Sequence, residues 1–386
     1  MNKSIMNDRE LLKGRISLCF SAYQIIGRKV FFSFLQCNGL YSYDLDNEKI
    51  EFVCFFKEDP IGKENLHWDS FVYGEWIGFV PYGSIFLTLF NHKSGEMRCI
   101  RISDSLPPTF FKCFLINDKV WMISQVADNR GDCRNICVFD LGITKFVPQL
   151  EVSDQIRNKL GYTPDTSSFF SLSASRYNNE LLVALYNTNT IARISTEDLK
   201  VSYIEIKEID DLATVSVIEN RVWLSRLGGG DVYSYSMNND GDIKIIRSKK
   251  EDVKRRPYRE IVRIKDRIII VPDNETNLLF VDEDDYLREI PYPADMKRCA
   301  WESCPKFGIV SEYENELLLS PQSWKSMALV SSDCIIKLKS VDTCFDRISE
   351  PVNVYMSHGV FDRLLMINEW DGALEYYIDC LGSEVI

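Results

Sequence analysis

The chain has 386 residues, 45% hydrophobic and 26% charged, with 45 Lys and Arg against 57 Asp and Glu and a formal net charge of −12. This is an ordinary composition for a folded globular chain, and an acidic surface repels phosphate backbones, which argues against general nucleic-acid binding. No apolar run approaches the ~20 residues needed to cross a bilayer, so no membrane association is expected.

Residues 1–15 are polar and read as an N-terminal arm. Their sequence, MNKSIMNDRELLKGR, contains no apolar core of an export signal. The expected location is therefore a reducing cytoplasm, with the 12 cysteines as free thiols. Most cysteines sit inside apolar runs such as LCF, VCFF and ICVF, as small buried hydrophobes do. Cys133 and Cys137, and Cys299 and Cys304, are the only close pairs, and the three histidines, His67, His92 and His358, are scattered. Zinc sites need two such pairs, or a pair with histidines, so neither a metal nor a cofactor is expected.

From Ile16 a hairpin recurs. A turn is followed by a charged residue, an apolar run, a polar loop and a second apolar run. In RIIIVPDNETNLLFVD, Arg267 to Asp282, the two runs flank the loop Pro272–Asn277. The corresponding charged residues are Lys29, Glu75, Lys119, Glu180, Arg221, Arg267 and Glu316, spaced by 46, 44, 61, 41, 46 and 49 residues. The runs are rich in Val, Ile, Phe, Tyr and Trp, which favour strands, and they lack the i, i+3, i+4 stripe of a helical repeat. Before each hairpin lies a run suited to an innermost strand A, such as TVSVI or EIVRI; after it lies a run suited to an outermost strand D, such as VSYIEI or IKIIRS. The A–B turns fall at Gly27-Arg28, Tyr73-Gly74, Asn117-Asp118, Asn178-Asn179, Glu219-Asn220, Lys265-Asp266 and Glu314-Asn315, most of them rich in turn formers.

The third unit is lengthened by Glu151–Ser168, where SDQIRNKL predicts a short helix capped by Ser153. After Leu338 the pattern blurs. VNVYMS and RLLMIN read as strands, and RLLMIN suits ring closure or an incomplete eighth unit. Residues 371–386 predict a C-terminal helix packed on the rest, with Leu374, Tyr377, Ile378 and Leu381 at helical spacing.

A period of 40–50 residues with four strands per unit resembles the β-propeller superfamily. The resemblance implies an all-β, single-domain propeller over residues 16–370, with seven four-stranded blades, or eight. It extends to no subfamily. Trp68-Asp69 and Trp370-Asp371 are misplaced for WD repeats, the glycine run Gly228–Gly230 occurs once rather than in every blade as in kelch repeats, and Asp boxes are absent. The fold carries over; site residues do not.

In a propeller the B–C and D–A loops share one face around the central channel. On this chain they hold Tyr82, Arg130, Tyr186, Asn187, Arg226, Tyr258, Trp301 and Trp324, aromatic and arginine side chains of the kind that anchor interfaces. Packing over a blade edge is the competing role for each. His67-Trp68-Asp69-Ser70 combines a base, an acid and a hydroxyl, but neighbours on a strand point to opposite faces, which argues against a triad. Asp44, Asp140 and Asp282 recur at strand C ends, where each carboxylate is expected to accept bonds from the next turn. The basic run Lys249–Arg259 reads as a solvated D–A loop. The expectation is a non-enzymatic scaffold that binds a protein or peptide partner through the loop face, monomeric by default. The alternative is an enzyme or a binder of a glycan or modified peptide at the channel mouth. A third reading has the C-terminal helix dock a partner.

Overall fold

Every predicted hairpin forms, and each belongs to an antiparallel sheet of four strands consecutive in sequence. The computed structural model describes residues 19–104, 107–124, 136–160, 170–238, 242–249, 257–273, 277–293, 307–321, 326–341 and 351–358. Blade 1 is β1 (Phe20–Ile26), β2 (Lys29–Phe34), β3 (Leu40–Asp44) and β4 (Lys49–Cys54). Blade 2 is β5 (His67–Tyr73), β6 (Trp76–Pro81), β7 (Phe86–Asn91) and β8 (Met97–Arg101). Blade 3 is β9 (Phe110–Ile116), β10 (Lys119–Ser124), β11 (Ile136–Asp140) and β12 (Lys145–Pro148), followed by helix α1 (Leu150–Leu160). Blade 4 is β13 (Phe170–Tyr177), β14 (Glu180–Leu185), β15 (Thr190–Ser195) and β16 (Val201–Glu205). Blade 5 is β17 (Leu212–Ile218), β18 (Arg221–Arg226), β19 (Val232–Ser236) and β20 (Ile243–Ile246). Blade 6 is β21 (Tyr258–Ile264), β22 (Arg267–Pro272), β23 (Leu278–Val281) and β24 (Leu287–Ile290). Blade 7 is β25 (Phe307–Tyr313), β26 (Glu316–Pro321), β27 (Ser326–Val330) and β28 (Ile336–Ser340), after which comes helix α2 (Val352–Ser357).

A lone four-stranded sheet would leave both apolar faces in water. Here each face meets the next blade, and the core divides into seven clusters, one at each junction. Leu182 and Ala184 of blade 4 thus pack with Val222 and Leu224 of blade 5, and Phe20 and Phe32 of blade 1 pack with Leu318 and Met327 of blade 7. The last contact closes the ring. The chain is a seven-bladed β-propeller.

Six A–B turns fall at the expected pairs. The second is displaced by one residue to Gly74-Glu75, because Tyr73 pairs with Trp76. A left-handed residue is needed there, and Gly27, Gly74, Asn117, Asn178, Glu219, Lys265 and Glu314 all have positive φ. The strand C carboxylates act as expected. Asp44 accepts from the Asp46 and Asn47 amides at 2.9 and 3.0 Å, Asp140 from Gly142 and Ile143 at 3.0 and 3.2 Å, and Asp282 from Asp284 and Tyr286 at 3.0 and 2.8 Å. Those donors hold the Asp44 and Asp282 carboxyls below their ordinary range. Asn91 plays the same part in blade 2.

Near the axis, neighbouring A strands lie side by side without forming a shared ladder, so short polar side chains bridge them. Ser173 accepts from the Val215 amide at 2.8 Å, Ser175 from Val217 at 2.9 Å, and Thr214 donates to the Tyr258 carbonyl at 2.7 Å. These bonds satisfy edge groups that would otherwise be buried unpaired.

Two expectations are corrected. Ser153 does not cap α1: it lies inside the helix, fully buried, with its hydroxyl on the Gln149 carbonyl at 3.4 Å. The helix docks through buried Val152 and Ile156 on the core of blades 3 and 4. VNVYMS is helix α2, not a strand. Blade 7 is already a complete four-stranded sheet at β28, and in the segment that follows the Tyr355 amide bonds the Pro351 carbonyl at 2.9 Å, as in a helical turn. RLLMIN and the helix expected over 371–386 lie outside the described residues.

Candidate binding site at the channel mouth

Strand A opens with a register shift against strand B in all seven blades. These irregularities stand at the loop-face end of the channel, because each A strand starts there. A bulge bends its strand and re-aims the extra side chain. In blade 2 the extra residue is Trp68, between His67 and Asp69 in the pairing; in blade 6 it is Arg259, between Tyr258 and Glu260.

The two bulge residues meet. The Arg259 guanidinium carbon lies 6.0 Å from the Trp68 ring centre. Blades 2 and 6 are three steps apart around the ring, so this contact crosses the axis. Tyr82, in the B–C loop of blade 2, lies on Trp68 at 5.1 Å between ring centres and 34° between planes. Asp273, just after β22, stands 4.0 Å from the Arg259 guanidinium. One residue further along β21, Glu260 reaches Lys112 of β9 at 4.0 Å, a second contact across the channel. The Glu260 carboxylate, with Asp69 adding to it and burial opposing, holds the Lys112 ammonium well above its ordinary pKa. About a third of each of these two side chains remains accessible, 32% and 31%.

His67, beside Trp68, is fully buried with Phe56 and Phe79 at 4.3 and 5.6 Å between ring centres. Neither ring nitrogen has a hydrogen-bond partner among the described residues, and burial pushes its pKa down to about 3. Asp69 accepts from the Cys113 amide at 2.8 Å and Ser70 donates to the Tyr23 carbonyl at 2.8 Å. The tetrapeptide is thus an interblade joint: its base is neutral and enclosed, and its hydroxyl is committed to backbone. No cluster of three or more His, Cys, Asp or Glu suited to a metal occurs among the described residues.

Of the residues expected on the loop face, Tyr82 joins this group. Arg226 pairs with Asp210 at 3.0 Å and Asp211 at 3.7 Å. Tyr186 is half-buried and Asn187 exposed, with φ 54°, in the B–C turn of blade 4. Tyr258 is buried, 1% exposed, and its hydroxyl donates to the Gly230 carbonyl at 2.7 Å, so it packs the junction of blades 5 and 6. Arg130, Trp301 and Trp324 lie outside the described residues. Sequence reasoning passed over Trp68, Lys112, Arg259, Glu260 and Asp273 as site residues. Trp68 and Arg259 lie inside the His-Trp-Asp-Ser stretch and the basic run, two segments whose residue types alone do not mark a binding site.

No protein-family model and no curated protein matches the chain. Solved structures do. Virginiamycin B lyase from Staphylococcus aureus superposes with a TM-score of 0.58 at 12% identity, covering 79% of this chain and 94% of that one. YCF48 bound to D1 peptide gives 0.58 at 10% identity, covering 80% and 90%. Kluyveromyces lactis Hsv2 gives 0.51 at 9% identity, covering 83% and 98%. At these identities the likeness is one of fold, and the set holds both a lyase and a peptide-bound protein.

Proposed function

We propose that this propeller is a non-enzymatic recognition protein that binds a protein or peptide partner at the channel mouth of its loop face. The observation that carries the reading is the Tyr82–Trp68–Arg259 cluster, in which two tilted aromatic rings of blade 2 meet a guanidinium that blade 6 brings across the axis. Large aromatic and arginine side chains supply most of the energy at protein interfaces, and fixing them beforehand lowers the entropy lost on binding. The polar groups nearby are poorly suited to catalysis. His67 stays neutral and enclosed, Ser70 is bonded to backbone, and the raised pKa of Lys112 keeps its amine protonated and non-nucleophilic.

The test is affinity capture from the native cell with the wild type and with Trp68→Ala and Arg259→Gln. A stoichiometric partner should be retained by the wild type and lost by both variants, each weakening binding by about tenfold or more. A partner bound equally by all three would refute the site. A second reading, a small-ligand site, is favoured by the partly accessible Lys112–Glu260 pair facing the axis. It would be supported by a glycan or modified peptide that binds the purified wild type and not Lys112→Met.

A further inference from the structure

Six of the seven junctions in the ring are crossed by the chain itself, as strand D of one blade runs on to strand A of the next. The seventh, between blade 7 and blade 1, joins opposite ends of the repeat array. Both sheets there consist of consecutive strands, so among the described residues no strand is exchanged across the junction. Side chains hold it directly. Tyr23 donates to the Leu318 carbonyl at 3.1 Å, Tyr43 to the Ser340 carbonyl at 2.8 Å, and Glu48 accepts from the Ser340 amide at 3.1 Å.

The chain that leaves blade 7 also reaches blade 1. Val341 is buried in the cluster shared by the two blades, and so is Tyr355 of α2, with no exposed surface. The Tyr355 hydroxyl donates to the Asn38 carbonyl at 2.6 Å. Its oxygen lies 2.6 Å from the Tyr41 hydroxyl; with the Tyr355 proton committed to Asn38, Tyr41 is the donor. Phe55 meets the ring edge-on at 5.7 Å. The fit depends on Gly39, where a Cβ would stand 2.5 Å from the Tyr355 oxygen and 2.8 Å from the Tyr41 ring. A residue attached to blade 7 thus fills a shaped, hydrogen-bonding socket in blade 1.

We propose that residues 351–358 are the latch of the ring, doing at the blade 7–blade 1 seam what the D–A connections do at the other six junctions, with Tyr355 as the group that seats it. The seam is the one junction where the ring can open without stretching the chain, and Tyr355 sets how often it does so.

Hydrogen exchange on the full chain, followed by mass spectrometry, tests this with Tyr355→Ala, Tyr355→Phe and Gly39→Ala. In Tyr355→Ala the amides of β1, β2, β26 and β27 should exchange at least tenfold faster, while blades 3 to 5 keep wild-type rates. Tyr355→Phe, which removes one oxygen, and Gly39→Ala, which fills the socket from the other side, should show the same pattern at smaller amplitude. Unchanged seam amides, or equal acceleration in every blade, would overturn the proposal. Should Tyr355→Ala fail to fold, the other two variants decide it by the same pattern.

Discussion

Replacing His67 with phenylalanine should flatten the acid side of the stability profile. In the folded chain the imidazole is fully buried, has no partner on either nitrogen among the described residues, and has its pKa pushed down to about 3 from 6.5. The unfolded chain therefore takes up a proton near pH 6.5, while the folded chain refuses it until about pH 3. Between those values the unfolded state binds more protons, so stability falls as pH falls, by up to ~1.4 kcal/mol per pH unit. From pH 7 to pH 5 this one group should remove ~2 kcal/mol of stability, and the loss should level off below the folded pKa. A phenylalanine joins Phe56 and Phe79 in the same apolar site and breaks no side-chain hydrogen bond. Its absolute stability will shift with the change of volume, so the quantity to compare is the difference between pH 7 and pH 5, measured by urea denaturation of both proteins. Carboxylates titrate in both and cancel in the comparison. The wild type should lose ~2 kcal/mol more than His67→Phe over that interval. Parallel profiles would show that the imidazole is protonated or hydrated in the folded state, and the burial account would be wrong.

Thr214→Val keeps the shape of a fully buried side chain and deletes its bond to the Tyr258 carbonyl; it should destabilise by about 1–2 kcal/mol in urea denaturation. Asp140→Ala removes the acceptor for two turn amides and should cost about 1 kcal/mol, whereas Asp140→Asn, which keeps the oxygen, should cost much less. Gly78→Ala would place a Cβ 2.1 Å from the Phe71 ring, an overpacking that should cost about 1–3 kcal/mol. Adding Phe71→Leu should recover part of that loss; if it recovers none, the clash is not with Phe71.

The blades were legible because alternating apolar runs and Asn, Asp or Gly turns are local signals. Asp44, Asp140 and Asp282 were legible for the same reason, since each acts on residues immediately after it. The mouth was not. Trp68 and Arg259 meet because of one extra residue in each of two strands, and a bulge leaves no mark in composition. Tyr258 was expected in a loop, but strand β21 begins there and turns its hydroxyl onto Gly230. VNVYMS has the β-branched residues of a strand, yet the segment coils and seats Tyr355 on blade 1. Local propensity yields where tertiary packing supplies the stronger term.

The seam and the mouth are mechanically related. Going round the ring from Arg259 to Trp68 by the shorter way passes from blade 6 through blade 7, across the seam, through blade 1 and into blade 2. The contact between the two side chains therefore spans the junction that Tyr355 fastens. A ring that opens at the seam moves blade 2 away from blade 6 and unstacks the pair, whereas strain at the junctions of blades 3 to 5 is carried by covalent connections. Tyr355→Ala changes no residue of the mouth, yet it should weaken partner binding by the factor by which it lowers the closed fraction of the ring, a fraction that exchange at β1 and β26 reports. Wild-type binding by a variant whose seam amides exchange with almost no protection, and whose ring is therefore largely open, would mean that Trp68 and Arg259 are positioned by their own blades alone, and that closure of the ring contributes nothing to recognition.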